Sequence, residues 1–229
     1  MRTTILGIDT ATSRGSVALA RGGMVVATTP LTERGAHARD LLGRIETLLG
    51  EAGLRAADLR GVVATLGPGS FTGVRVGLAT AKGLAYALDI GLAGLSTLEA
   101  LARAAALAEH GVPRDLCAAL EAGRGEVYAA LFRVEDREPV RITGDASHRP
   151  ADLVRLLPQG ACVVGDAGPT LGQAAREAGR TIVLLEAWPS LAGPLALWGE
   201  RAIPPGTPYD PGRPRPNYVR PSDAEAPRR

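Results

Sequence analysis

The sequence is poor in the side chains that carry most enzyme chemistry. Of 229 residues, two are cysteines and three are histidines. Cys117 and Cys162 lie far apart and no CxxC occurs, which excludes a zinc-ribbon or thioredoxin-type motif. Each sits in an apolar, strand-like run, where a small buried hydrophobe is expected. Lysine is reduced to Lys82, so the rest of the 26 basic residues are arginines. With the abundant alanine, glycine and proline, this reads as genome composition rather than function. The formal net charge is +2, too weak a field for an autonomous nucleic-acid binder. No apolar run approaches the roughly 18 residues of a membrane span. The opening MRTTILGIDT has a short apolar run broken by Asp9 and is no secretory signal. A soluble, cytoplasmic protein with no membrane partner is expected.

Apolar residues make up 45% of the chain, enough for one large domain or two small lobes. Residues 4–9 (TILGID) read as a buried strand. Residues 16–20 and 24–29 flank Arg21-Gly22-Gly23, a hairpin signal. Leu41, Leu42, Ile45, Leu48 and Leu49 recur at helical spacing over 37–52, with Gly53 as C-cap. A buried strand over 61–66 runs into GPGSFTGVRVGLATAKGLAYAL, residues 67–88. A short strand over 90–94 precedes a helix over 97–109, begun by the capping box Ser96/Glu99. Gly111 and Pro113 stop it.

The second half repeats the theme. Strands over 115–121 and 126–134 surround the turn 122–125, with a third strand over 139–143. Helix 150–157, strand 161–165, helix 169–178, strand 181–186 and helix 189–201 follow. The pattern predicts a duplicated α/β fold, divided into an N-terminal lobe 1–110, a smaller C-terminal lobe 111–202 and a tail 203–229. The tail holds eight prolines and five arginines, so regular structure is excluded. It reads as a solvated end with one docked segment, PNYVR, in which Tyr218 and Val219 pack on the body. Its cations include Arg213, Arg215 and Arg220.

The glycine-rich stretch 67–88 fails as three known enzyme loops. A Walker A loop needs Lys after its second glycine, but Val74 follows Gly73. A GxGxxG loop needs glycine at its sixth position, which is Thr72. A nucleophile elbow needs glycine two residues either side of serine, and Ser70 has Pro68 and Thr72. The helix itself, capped by Ser70 or Thr72, has one ordinary core stripe: Val74, Leu78, Ala81, Ala85 and Leu88. Its opposite face carries Thr72, Val76, Ala79, Thr80, Gly83 and Ala87, all small or short. Such a face is either buried within its own chain or open to a partner helix, which small side chains let approach closely.

The pair ILGIDTATSRGSVAL and GPGSFTGVRVGLATAKGLAYAL resembles the TsaB (YeaZ) family. AALEAGRGEVYAALF and PNYVR match its pattern too. The resemblance implies a two-lobed actin/sugar-kinase/Hsp70-like (ribonuclease H-like) fold with duplicated mixed sheets. It implies a non-catalytic scaffold that binds the transferase TsaD, with the P-loop ATPase TsaE joining the assembly. The product is threonylcarbamoyladenosine (t6A) beside the anticodon of tRNA, which is met through the complex. It implies no cofactor of its own; ATP and magnesium are used by the complex. Partner-binding residues are then Leu41, Ile45, Val76, Ala79, Thr80, Gly83 and Ala87, with a homodimer through the same face as an option.

An ATPase of this fold uses a first-strand Asp and a glycine-bearing turn. Here Asp9 is followed by Thr10, Ala11 and Thr12, so Asp9, Thr10 and Thr12 form at most a vestigial nucleotide site, or a turn held by local hydrogen bonds. In the second lobe the family's usual Asp-Ala-Arg is Glu121-Ala122-Gly123, with Arg124 next. His37 has Leu41 at i+4 rather than a second histidine, so no metal site is expected. Peptidase chemistry lacks a base near a nucleophile. An ATPase or small-molecule kinase of the same fold is the rival reading.

Overall fold

The structure is a computed structural model that describes residues 3–31, 37–107, 114–185 and 190–219. The first unit is built on β1 (Thr4–Asp9), a strand buried at every position. β1 pairs antiparallel with β2 (Ser16–Arg21), which pairs antiparallel with β3 (Met24–Pro30). On its other side β1 pairs parallel with β4 (Leu59–Thr65), followed by parallel β5 (Gly91–Leu95). The order is therefore β3-β2-β1-β4-β5. A strand buried on both faces needs apolar or very small residues throughout, which explains why TILGID lacks alternation.

Leu6 and Ile8 share a core with Leu41, Ile45, Leu48 and Leu49 of α1 (His37–Glu51) and with Ala81 and Ala85 of α2 (Phe71–Leu88). Fully burying each leucine contributes about 1.5–3 kcal/mol. The alternate residues face α6 (Ala192–Ala202), which packs on β1, β2 and β4. Gly7 is small because α6 lies against it: a Cβ there would enter the Ala192 carbonyl oxygen and reach Ala196 N at 3.0 Å. Gly199 answers from the helix side, 2.7 Å from Ile5 Cγ2 by the same construction. Glu200, one turn from the end of α6, accepts the Gly22 and Gly23 N–H groups at 2.7 Å each, which closes the β2–β3 hairpin.

The second unit repeats the strand order. β6 (Asp115–Gly123) pairs antiparallel with β7 (Glu126–Glu135), which pairs with β8 (Glu138–Arg141). On its other side β6 pairs parallel with β10 (Ala161–Val164), and β10 with β11 (Ile182–Leu185). A short β9 (Ala146–His148), absent from the sequence-based expectation, adds to β7. Helices α4 (Pro150–Leu156) and α5 (Gly168–Glu177) cover one face of this sheet. The helix α3 (Thr97–Ala106) carries Glu99, which binds Arg103 at 3.0 Å and Arg141 at 3.3 Å, while Arg103 also meets Glu138 at 2.7 Å.

The division of the chain differs from the expected one. Residues Met1–Thr97 and Ser190–Asn217 form the first compact unit, and the second begins at Leu98. The last helix was expected in the C-terminal lobe; its glycines and alanines fit β1 instead. The expected boundary at residues 110 and 111, with Gly111 and Pro113, lies outside the described residues.

Cys117 and Cys162 are buried, as expected. Burial pushes the Cys117 thiol up to about 12 and the Cys162 thiol up to about 11. Cys162 sits opposite Leu116 and Val163 opposite Cys117, so the two thiols point to opposite faces of the sheet.

Gly7→Ala tests the seat of α6. Overpacking a filled core costs about 1–3 kcal/mol, so a lower midpoint in chemical denaturation is expected, with loss of protection in α6 by hydrogen exchange.

Candidate functional site

The site lies where β1 ends against the start of α2. Asp9, Thr10 and Thr12 are all buried. Asp9 Oδ1 accepts the Ala11 N–H at 2.9 Å and the Thr65 hydroxyl at 3.0 Å, and Oδ2 accepts the Thr12 hydroxyl at 2.5 Å. Burial raises the Asp9 pKa, against the pull of these donors. Thr10 Oγ1 donates to the Gly73 carbonyl at 2.7 Å, and the Ser70 N–H donates to the Ala11 carbonyl at 2.8 Å. Ser70 caps α2, its hydroxyl accepting the Gly73 N–H at 3.2 Å.

Glycines make this approach feasible. A Cβ on Gly69 would enter the Ala11 carbonyl oxygen, one on Gly73 the Thr10 carbonyl oxygen, and one on Gly77 the Thr10 hydroxyl. Gly67, at φ +97°, has the Asn217 carbonyl oxygen 2.7 Å from its Cβ position. The glycines at the start of the stretch serve backbone packing within the chain. Asp9 is fully buried and engaged by internal donors from Ala11, Thr12 and Thr65, so these residues do not fit a magnesium ion held by its carboxylate. Among the described residues no group of three or more His, Cys, Asp or Glu could hold a metal.

The other half of α2 behaves differently. Gly83 is exposed, and a Cβ there would meet nothing within 4 Å. Ala79 and Ala87 are exposed as well, and Val76 and Thr80 are half-buried. One helix thus uses glycine in two ways, internally at 73 and 77 and externally at 83. Two expected partner residues are corrected here. Leu41 and Ile45 are 2% and 3% exposed, inside the unit's own core. Both fall on the stripe that faces the sheet, and the residue α1 leaves outward is Leu42, 59% exposed. Helical spacing did not single it out: at 100° per residue Leu42 lies only about 20° from Leu49, and the packing alone separates them.

In the second unit the turn after Glu121 is a tight hairpin, with Gly123, Arg124 and Gly125 all at positive φ. The Glu121 N–H donates to Asp166 at 2.8 Å, and its carboxylate accepts the Thr170 hydroxyl at 2.6 Å. Asp166 carries no motif, and sequence reasoning passed over it. His37's side chain and His110 lie outside what is described, and His148 sits in β9. In the tail, Tyr218 is 45% exposed and Val219 half-buried. The segment is held at the Asn217 backbone, whose N–H reaches the Leu66 carbonyl at 2.7 Å. Arg220 is outside the described residues. No helix among the described residues is long and apolar enough to cross a membrane.

Repeated strand order and a strand-end Asp define a two-lobed protein of the actin/sugar-kinase class. A solved structure as distant as (R)-2-hydroxyglutaryl-CoA dehydratase component A of Acidaminococcus fermentans shares this fold alone, at a TM-score of 0.52 and 11% identity over 87% of this chain and 98% of that one. Residues 11–186 match the family model described as TsaD, tRNA N6-adenosine threonylcarbamoyltransferase. The chain is 39% identical over 132 residues to tRNA threonylcarbamoyladenosine biosynthesis protein TsaB of Escherichia coli. That match covers 58% of this chain and 56% of the relative, so it spans little more than half of the curated protein's length. A crystal structure from Pseudomonas aeruginosa, of an uncharacterized protein with similarity to peptidase YeaZ, superposes at a TM-score of 0.79 and 26% identity, over 95% of this chain and 100% of that one. The chain belongs to the TsaB (YeaZ) family.

Two measurements check the site. Gly73→Ala is expected to cost about 1–3 kcal/mol by overpacking, whereas Gly83→Ala should stabilise the isolated chain by about 0.5–1 kcal/mol through helix propensity. Asp9 binds its proton more tightly folded than unfolded. Its contribution to stability is therefore fully present below its ordinary value of 3.8 and is lost as pH rises through the raised folded value. Asp9→Asn should flatten that limb of the stability profile in denaturant titrations across acidic to neutral pH.

Proposed function

We propose that this chain is a non-catalytic subunit of t6A synthesis, binding a TsaD-type transferase and supporting threonylcarbamoyl transfer to N6 of a tRNA adenosine. The observation that carries this reading is the outward face of α2. Ala79, Gly83 and Ala87 give a helix surface with almost no side-chain relief, a seat for a second helix at close range. Val76 and Thr80 border it, and Leu42 of α1 offers an apolar contact that the chain itself leaves open. A second copy of the chain would use the same surface, so homodimer and heterodimer compete.

The Asp9 turn supports the non-catalytic half of the reading. A phosphoryl-transfer enzyme of this class needs a carboxylate open to metal and a backbone open to phosphate. Here both are spent on internal bonds. In this reading the chain needs no cofactor, and the ATP and magnesium of the pathway are handled by other members such as the ATPase TsaE. The tRNA is met within the assembly.

Ala79→Arg or Gly83→Leu is expected to weaken association with the TsaD-type partner roughly thirtyfold or more, as loss of about 2 kcal/mol at an interface centre does. Thermal stability of the isolated chain should stay near wild type. Size-exclusion chromatography with t6A yield in a reconstituted system reads both effects. Normal binding by both variants would remove α2 as the interface. Magnesium-dependent ATP turnover by the chain alone, lost in Asp9→Ala, would favour the rival kinase or ATPase.

A further inference from the structure

The C-terminal segment forms a strap across the open edge of the first sheet. Ile203 covers Gly61 and Gly91, with Ile203 Cδ1 2.7 Å from the Cβ position of Gly61. The Tyr209 N–H donates to Asp89 Oδ1 at 3.5 Å, and the Tyr209 ring meets Tyr86 of α2 edge-on at 5.7 Å. Gly212 N–H donates to Asp210 Oδ1 at 2.8 Å. Asn217 N–H then holds the loop before α2. The strap is thus anchored beside both ends of α2.

Between its anchors the strap and the sheet border an open groove of about 570 Å³. One wall is Leu92, Ala93 and Gly94 of β5, and the other is Gly212–Arg215. β5 is the last strand of its sheet, so its outer backbone groups have no strand partner among the described residues. Among the described residues no carboxylate lines the groove. Neither the Arg213 nor the Arg215 guanidinium makes a hydrogen bond or ion pair to a described residue. Arg213 and Arg215, both exposed, thus line a gap whose opposite wall is an edge strand.

We infer that this groove binds the phosphodiester backbone of RNA. The choice of RNA over an acidic peptide rests on the proposed role in a tRNA-modifying assembly. The chemistry is that of a positioning contact. Arginine forks match phosphate oxygens in pairs, and edge-strand N–H groups add neutral donors. Among the described residues no aromatic ring lines the groove, so the contact rests on phosphate rather than on base stacking and is indifferent to sequence. With a formal charge of only +2, the chain has little long-range field, so the groove acts at short range.

The test is a titration of fluorescently labelled, unmodified tRNA against the full chain, alone and bound to the TsaD-type transferase, between about 50 and 200 mM salt. Each phosphate contact contributes about 0.7–0.9 to the log–log salt slope. Arg213→Gln/Arg215→Gln is therefore expected to reduce the slope by about 1.5 and to weaken binding about tenfold at the lower salt. Arg213→Lys/Arg215→Lys should keep most of the slope. Transferase binding is scored separately by chromatography and should be unchanged in both. If the transferase does not bind the wild-type chain, the proposed function fails while the chain-alone titration still decides the groove. A glutamine double variant with wild-type slope and affinity in both settings overturns the inference. So does a variant that keeps tRNA but loses a poly-glutamate peptide, which would assign the groove to acidic protein.

Discussion

The close approach of α2 to the turn after β1 is the constraint on which the first unit depends. Thr10 and Gly73 share a hydrogen bond, and Gly69, Gly73 and Gly77 let helix backbone lie against turn backbone. This contact sets the height of α2 over the sheet, and with it the depth of the core that Leu41, Ile45 and Leu48 fill. Beside it, the Asp9 carboxylate is engaged by Ala11, Thr12 and Thr65 rather than by α2.

Because its N-terminal half is held so tightly, α2 can present its remaining face as a rigid surface. The strap reinforces this by holding the loop before the helix and the residues at its end. A partner helix that settles on Ala79, Gly83 and Ala87 would meet a surface already ordered, with little side-chain entropy to lose. The same strap carries Arg213 and Arg215 to the β5 edge, so one short segment links the ordering of α2 to the groove.

Much of this was legible in order. The runs TILGID and ACVV read as buried strands because they lack alternation, and the hairpin at Gly22-Gly23 was marked by its turn residues. The core stripe of α2 followed from helical spacing. The failure of 67–88 as a phosphate loop followed from single residues, Val74 and Thr72. Asp166 and β9 were not legible, because neither carries a periodic pattern. The fate of Leu41 and Ile45 was legible in principle: the stripe that made α1 a helix was also the stripe that faced the sheet.

The sequence by itself determined the strand and helix order, the duplication of the motif and the absence of metal-ligating spacing, because these depend on local pattern. It also determined family membership, through the two long motifs. Tertiary structure alone decided which unit holds α6, since GPLALWGE fits either sheet until Gly7 is seen against Ala192 and Ala196, and Gly199 against Val63 and Ile5. It alone decided which glycines are internal: Gly73 and Gly83 are alike in sequence, and only the position of the Thr10 turn separates them. It alone decided how the tail docks, because a backbone N–H such as that of Asn217 leaves no trace in side-chain pattern.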